Sequence, residues 1–255
     1  MPARFGGRLS SVVDISGKEG NKKQLSGSAG IGLLTGRAML EVPIVKDKTS
    51  FIIGGRSTYA KWLIDRLPKE YRNSNASFYD INVLLSHNFN NNNSLYFTGY
   101  ASSDKFRLNS DTTYGYRNTN FSLKWKPVFN NKLNAIVTTG SDNYRYSITS
   151  LRNPVNAYRL KFDIQQYYFK THFTSYISSG NTIDFGLSSI SYKLNPGTLG
   201  PANSNSHVEY DKLENEQGIE SAVYLNDNWN ITDHTSVEAG VRMSMFNTLG
   251  PRSSN

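Results

Sequence analysis

The stretch Phe121-Ser122-Leu123-Lys124-Trp125-Lys126 alternates strictly between apolar and polar residues. Successive side chains of a β-strand point to opposite faces of its sheet. Phe121, Leu123 and Trp125 therefore share one face, while Ser122, Lys124 and Lys126 share the other. The pattern predicts a strand with one apolar face and one hydrated face.

The same alternation recurs along most of the chain, and a helical period is nearly absent. Val237 to Met245 repeats it near the end, and Tyr79 to Leu85 repeats it earlier. Residues 162–177 predict one strand of about sixteen residues, whereas strands of soluble proteins have ~5–6 residues and bilayer-crossing strands need ~9–11. Length therefore favours a membrane barrel over a sandwich. Eleven strands are predicted, with approximate spans 25–33, 36–45, 49–59, 77–89, 94–105, 115–129, 132–147, 158–177, 181–194, 217–231 and 235–247.

Short polar turns alternate with long connections. Lys46-Asp47-Lys48 and Thr232-Asp233-His234 are short, whereas residues 60–76 and 195–217 are long. Tight turns at one end and long loops at the other are typical of outer-membrane barrels, and a Greek-key sandwich has no reason to show them. The predicted fold class is all-β, an antiparallel meander that forms part of a transmembrane β-barrel.

Two local points complete the prediction. Residues 32–37 are the weakest boundary, because they fit either a tight hairpin or the middle of one bent strand. Residues 59–67 have a helical pattern inside the first long loop, and Pro68 ends it.

Composition narrows the classes of function. The 255 residues carry a formal net charge of +8, are 13% aromatic and contain no cysteine. This excludes disulfides, thiolate metal sites and a cysteine nucleophile. Lys and Arg are scattered singly, which favours a solvated surface over a nucleic-acid groove. The sequence has no apolar run long enough for a transmembrane helix, and its N-terminus lacks the apolar region of a signal peptide.

The strand count leads to an expectation about the chain itself. Bacterial barrels close with an even number of strands, and open edges are not tolerated in lipid. Residues 251–255 do not have the pattern of a closing strand. We therefore expect a fragment of a longer polypeptide, whose eleven strands form only part of a barrel.

The N-terminal stretch Pro2-Ala3-Arg4-Phe5-Gly6-Gly7-Arg8-Leu9-Ser10-Ser11-Val12-Val13-Asp14-Ile15 contains an Arg-aromatic-Gly-Gly turn followed by a predicted strand, Ser11 to Ser16. It resembles the end of the plug domain of TonB-dependent outer-membrane receptors, especially those of Bacteroidetes-type bacteria. Residues 41–51, 56–59 and 220–232 also match that family. The resemblance implies that residues 1–22 are the C-terminal end of a plug and residues 23–255 the N-terminal half of a barrel of about 22 strands.

The resemblance implies a multi-pass receptor of the bacterial outer membrane. Such a receptor binds a scarce extracellular substrate, which is a siderophore, cobalamin, haem, an oligosaccharide or a peptide, and imports it to the periplasm. The implied partners are the TonB–ExbB–ExbD motor, acting through a plug segment outside this chain, outer-membrane lipid, the substrate and a surface lipoprotein. Nucleic acid is not an expected partner. Substrate contacts are expected in the long loops and at the plug tip, where Arg4 and Arg8 are the candidate binding residues; pairing of these arginines with carboxylates of the wall is the alternative.

The two faces of the barrel have separate predicted roles. One set of residues meets lipid, and the other lines the wet lumen and braces the plug. The lipid-facing set is Phe121, Leu123, Trp125, Val237, Val241 and Met243, and the lumen set is Asn82, Lys124, Lys126, Glu238 and Arg242.

No catalytic, cofactor-binding or metal site is predicted, and we expect a transport protein rather than an enzyme. The histidines 87, 172, 207 and 234 lack ligand spacing, and the glycine-rich residues 27–32 lack the lysine of a phosphate loop. Six tyrosines lie near the long loops, where they predict an interfacial aromatic girdle or, alternatively, an aromatic binding platform. They are Tyr100, Tyr114, Tyr116, Tyr144, Tyr146 and Tyr158.

Two other functions stay open at this point. One is a passive outer-membrane barrel or porin without energy coupling, and the other is a soluble secreted β-sandwich that acts as a binding module. An N-terminal segment that lies extended inside the barrel wall would favour energy coupling.

Overall fold

The structure, a computed structural model, describes residues 2–6, 11–14, 16–59, 61–66, 68–71, 73–107 and 112–250. Strands dominate it, joined by one short helix, α1 (Lys61–Ile64), and 3-10 turns at Ala3–Phe5, Lys69–Tyr71 and Pro154–Asn156. The strands are β1 (Ser26–Ile31), β2 (Thr35–Val45), β3 (Thr49–Thr58), β4 (Asn75–Asn90), β5 (Asn93–Arg107), β6 (Thr112–Asn130), β7 (Leu133–Ser150), β8 (Tyr158–Ser178), β9 (Asn181–Pro201), β10 (Asp211–Lys212), β11 (Glu216–Thr232) and β12 (Thr235–Thr248).

All of these strands belong to one antiparallel sheet in meander order. Each long strand pairs with the next long strand, and β10 pairs with β9 beyond the end of β11. Within the described residues no ladder joins β1 to β12, so the sheet is open. The predicted all-β meander of eleven long strands is confirmed. The additional strand, β10, has two residues, which is too few to show a period in the sequence.

The connections follow the predicted alternation. From β2 onward, tight turns close one end of the sheet, here called the turn end, and the longer connections lie at the opposite end, the loop end, where the hairpin between β1 and β2 also lies. At the first tight turn Asp47 adopts a φ of 61°, which Asp tolerates better than most residues. The boundary at residues 32–37 is a tight hairpin, in which the Gly32 amide donates to the Thr35 carbonyl at 2.8 Å. The helical piece predicted at residues 59–67 is confirmed for the four residues of α1, Lys61–Ile64.

The longest strands extend well beyond the length needed to cross a bilayer. β8 and β9 each have 21 residues, about twice the ~9–11 that a tilted strand requires. β9 continues seven residues past its predicted end, from Leu194 to Pro201. It does so because its ladder with β8 resumes after a register shift near Asp163 and reaches Tyr158.

The sheet has two chemically different faces. From β4 onward, register shifts are confined to strand ends and to the one near Asp163, so side chains of even-numbered residues share a face across neighbouring strands. The N-terminal segment, residues 2–24, contacts this face, which we call the inner face; the opposite one is the outer face. The register places all six predicted lipid-facing residues on the outer face and all five predicted lumen residues on the inner face, as expected.

This sheet is a single layer without an apolar core. Among the described residues, the buried apolar ones are Ala135, Ala157, Ala222 and Tyr224. The outer face instead leaves large side chains open, with Val241 64% and Met243 72% exposed. A β-sandwich buries its large side chains between two sheets, so the soluble-sandwich alternative is wrong. In the described residues, no helix combines the length and the apolar character needed to cross a membrane.

The predicted strand from Ser11 to Ser16 is wrong for the described residues. Residues 11–14 and 16 adopt no strand in the structure. A strand requires a neighbour to satisfy its backbone groups, and in the described part of the chain no ladder includes these residues.

Candidate functional site

The N-terminal segment is anchored to the turn half of the inner face by a buried carboxylate. Glu41 on β2 is 6% exposed. It accepts a hydrogen bond from the Asn21 amide at 2.7 Å and lies 3.8 Å from the Lys18 ammonium. Buried carboxylates require such partners, so Glu41 and the segment stabilise each other.

A second contact on the same part of the sheet involves Glu19. The Tyr96 hydroxyl on β5 donates to its carboxylate, and Lys22 donates to it at 2.6 Å. Burial by itself would raise the pKa of Glu19, but these two hydrogen bonds and the charges of Lys22 and Lys126 together hold the pKa below its ordinary value of 4.5. Glu19 therefore stays ionised when it is docked.

The other end of the segment lies against β11 and β12. The Arg242 guanidinium donates to the Arg4 carbonyl at 3.2 Å, and the Ala3 amide donates to Asn226 Oδ1 at 3.3 Å. Packing is close here, because a Cβ on Gly240 would lie 2.9 Å from the Cβ of Ala3. The segment thus crosses the inner face from β12 to β2.

Of the two candidate binding residues, Arg4 and Arg8, the structure describes Arg4. The Arg4 side chain lies 3.7 Å from the Asp14 carboxylate of the same segment and 4.3 Å over the Phe5 ring. Its carboxylate partner is thus in the segment and not in the sheet wall. Arg4 keeps 39% of its side chain exposed and lines a cavity of about 640 Å³ between the segment and the inner face. Arg8 lies outside the described residues.

That cavity has a cationic wall. Lys124, Lys126 and Lys170 line it together with Arg4 and Arg242. The carboxylates that line it are Asp14, from the segment, and Glu220, on β11. The balance of charge in this lining suits an anionic group.

His172 and Tyr224 form a polar cluster at the same level. His172 Nδ1 lies 2.8 Å from the Tyr224 hydroxyl, and its Nε2 lies 3.6 Å from Asp184. Asp184 also accepts a hydrogen bond from Thr174 at 2.7 Å. Because both ring nitrogens of His172 have neighbours in the sheet, we interpret His172 as a structural residue. Among the described residues, no three His, Cys, Asp or Glu side chains are grouped in a way that could hold a metal ion.

The inner face becomes aromatic toward the loop end. Rings of Tyr116, Tyr146 and Phe162 stack across β6, β7 and β8, with centroids 5.0 Å and 5.7 Å apart. The register places all six tyrosines near the loops on this face. A girdle residue must face lipid, so the girdle interpretation is wrong for these six. Their position on the inner face near the loops is the one expected of the alternative, an aromatic binding platform.

A second cavity, of about 800 Å³, opens beside this aromatic wall. Its apolar lining includes Ile164, Leu194 and Phe246, and Tyr192 donates to the Glu220 carboxylate at 2.9 Å. An apolar hollow with a few fixed polar groups is the usual form of a ligand site. Sequence reasoning did not single out this cavity. Its signal was available in the alternation of β8, β9 and β12, which places Ile164, Leu194 and Phe246 on the inner face near the loops.

The chain was compared with known proteins. No protein-family model matches it, and no curated protein sequence does. Solved structures do match. A mutant of the ferric enterobactin receptor PfeA from Pseudomonas aeruginosa is similar over 96% of this chain, with a TM-score of 0.66 and 16% identity. The fold, an open antiparallel meander, matches part of the barrel of this receptor.

Two further structures agree with this fold. The ferric-catecholate import receptor Fiu from E. coli is similar over 90% of the chain, with a TM-score of 0.65 and 13% identity. The copper transporter OprC is similar over 87%, with a TM-score of 0.64 and 9% identity. The chain spans 43%, 42% and 36% of the lengths of PfeA, Fiu and OprC. At these identities the likeness shows the fold alone.

Proposed function

We propose that the chain is part of an energy-coupled uptake receptor of the bacterial outer membrane, related to the Bacteroidetes-type TonB-dependent receptors. The observation that carries this proposal is the N-terminal segment, which lies across the polar inner face of a single long-stranded sheet. A passive barrel needs no such segment. Residues 1–22 act as the end of a plug and residues 23–255 as barrel wall.

The contacts of the segment suit a part that is pulled. Among the described residues, its side-chain hydrogen bonds to the sheet gather at two places, near Glu41 and Glu19 and near Arg242 and Asn226. Force from a TonB–ExbB–ExbD motor on the plug would break them one after another. The energy then comes from the proton-motive force, and this chain supplies the wall against which the plug moves.

The substrate is a scarce extracellular molecule, namely a siderophore, cobalamin, haem, an oligosaccharide or a peptide. It enters at the loop end, where the aromatic wall and the cavity of about 800 Å³ lie on the inner face. Aromatic rings give large contact areas to flat ligands. Arg4 borders the cationic cavity, which lies nearer the turn end, and an anionic substrate that moves toward that end would meet it there. A surface lipoprotein would cover the loops.

The chain performs no chemistry on its cargo in this proposal, and it requires no cofactor. PfeA, Fiu and OprC are named as receptors or transporters, which supports transport. Binding, release and movement of the segment are the steps that the inner face has to provide.

Uptake measurements test the proposal. Bacteria that produce the chain from its native gene are compared with a strain in which the gene is disrupted, using labelled ferric enterobactin, cobalamin, haem and an oligosaccharide as probes. We expect saturable uptake of one probe that depends on the gene and stops when a protonophore collapses the proton gradient. Uptake that depends on the gene but is insensitive to the protonophore would support the passive barrel instead.

A further inference from the structure

A group of cations lies on the outer face at the loop end, away from the N-terminal segment. We call it the outer basic patch. Its members line one hollow of about 850 Å³, and each is an exposed residue. They are Lys105, Arg117, Arg145, Arg159, Lys161, Lys193 and Lys212.

The sheet register assembles this patch from residues that are far apart in sequence. Arg117 on β6 stands directly opposite Arg145 on β7. One row further toward the loops, Lys105 pairs with Gly115, and Ser147 pairs with Lys161. Residues that look scattered in the sequence thus form two adjacent rows across β5 to β8.

The positive charge of the patch exceeds its internal compensation. Asp163 accepts a hydrogen bond from Arg145 at 2.7 Å, and Asp104 is the other acidic residue of the lining. Asp104 is even-numbered, and its side chain shares the inner face with Tyr116. Within the described residues of this lining, seven cations therefore face the single carboxylate of Asp163. Like charges opposite each other in a sheet destabilise it, so the pair Arg117 and Arg145 favours an anion from outside the chain.

The patch lies directly beyond the apolar part of the same face. Across β5 to β9, the row of Phe121 and Tyr167 is the last one on the outer face with exposed aromatic rings. Arg117 lies four residues from Phe121 toward the loop end of β6, a distance of about 13 Å along a strand. If the apolar rows lie in hydrocarbon, the cations lie at the height of the lipid headgroups on the loop side.

We propose that the outer basic patch binds the phosphate groups of anionic lipids in the membrane leaflet on the loop side. A guanidinium fork matches phosphate geometry with paired hydrogen bonds, and basic clusters beside an apolar span attract anionic headgroups. The inference depends on the outer face meeting lipid and not on uptake, so its test is independent of transport.

Lipid binding by the purified full chain tests the inference. The probes are lipid A, a glycolipid that carries two phosphates, and the same lipid after enzymatic dephosphorylation, each titrated in detergent micelles and counted by native mass spectrometry. The variant Arg117→Gln/Lys161→Gln/Lys193→Gln spares the pair of Arg145 with Asp163. Each cation near a membrane surface contributes about fivefold in affinity, so we expect the variant to bind phosphorylated lipid on the order of a hundredfold more weakly.

The matched control removes the same charge at the opposite end of the strands. Lys46→Gln/Lys48→Gln/Lys132→Gln changes three exposed lysines at the turn end, and we expect it to retain binding within about threefold. If the triple variant of the patch fails to fold, as judged by its strand circular dichroism, Arg117→Gln alone is tested for a fivefold loss. Three results would each overturn the proposal. The chain could bind both lipids equally, the two triple variants could lose equal affinity, or inorganic phosphate at the concentration of the lipid could displace the lipid completely.

Discussion

At the scale of single residues, two glycines on the inner face are each covered by a tyrosine from the neighbouring strand. Tyr224 lies over Gly186, and Tyr168 lies over Gly140. The missing side chain allows each ring to lie flat, and Tyr224 thereby reaches both His172, at 2.8 Å, and the Thr171 carbonyl, at 3.3 Å. Such pairs compensate for the weak β-propensity of glycine.

The variant Gly186→Ala should therefore be destabilised. A Cβ at this position would overlap the backbone carbonyl of Thr171 and lie 2.9 Å from Tyr224 Cζ, and overpacking of this kind costs about 1–3 kcal/mol. The free energy of unfolding, measured by urea titration in lipid vesicles, should fall by that amount. In the control Gly99→Ala, the new Cβ has its nearest heavy atom, in Phe121, at 3.7 Å, so stability should hardly change. Equal stability of both variants would show that Tyr224 does not pack as described.

A charge should be tolerated on one face and not on the other. Val83 and Asn82 are adjacent in β4 and point to opposite faces. Val83→Lys places an ammonium among the outer apolar side chains and should cost ~2–4 kcal/mol if that face meets the bilayer midplane. Asn82→Lys, its matched control, places the same charge on the inner face beside Asp80 and should cost little. Comparable losses in the two variants would contradict the assignment of the faces.

Much at this scale could be predicted from the sequence, and some could not. Alternation fixes which residues share a face, so the outward position of Leu123 and the inward position of Arg242 follow from it. The same alternation places the six tyrosines on the inner face, but their proximity to the loops led to the girdle interpretation. The partner of Arg4 could not be predicted, because Asp14 comes close only through the fold of the N-terminal segment.

At the scale of elements, the strands follow the sequence closely except at the loop end. The turn-end hairpins carry Asn, Asp or Gly and are predicted to within a few residues. β9 runs past its predicted end at residue 194 because its pairing with β8 continues through a bulge, and cross-strand pairing leaves no local signature. β10 was missed for a related reason, since its two residues form a strand only by pairing with β9.

The stability that the docked N-terminal segment contributes should depend on pH through the ionisation of Glu19. The pKa of Glu19 is lowered by its docked contacts, so its contribution to stability is complete above its ordinary pKa of 4.5 and is lost as the pH falls through the lowered value. The variant Glu19→Gln lacks this ionisation. The difference in unfolding free energy between the two proteins should be present at neutral pH and should disappear in acid. A difference that persists below the lowered pKa would contradict the contact with Tyr96 and Lys22.

At the scale of the whole molecule, the sheet is an amphipathic wall without a core. Its stability as a single layer requires different surroundings on each side, because large apolar side chains remain exposed on the outer face and lysines, carboxylates and the N-terminal segment occupy the inner face. The gathering of seven scattered cations into the outer basic patch belongs to this scale. Only the register of several strands brings them together, so the sequence suggested a merely solvated surface.

The measurement that tests the two-sided wall most directly is an accessibility scan along β6 in lipid bilayers. The chain has no cysteine, so single cysteines introduced at residues 121–126 can each carry the only spin label. Labels at 121, 123 and 125 should collide with oxygen dissolved in lipid, and labels at 122, 124 and 126 should collide with a water-soluble nickel complex. Two results would contradict a sheet with lipid on one side and water on the other. One is a set of collision rates that do not alternate with a period of two, and the other is shielding of the labels at both sets of positions from oxygen and nickel alike.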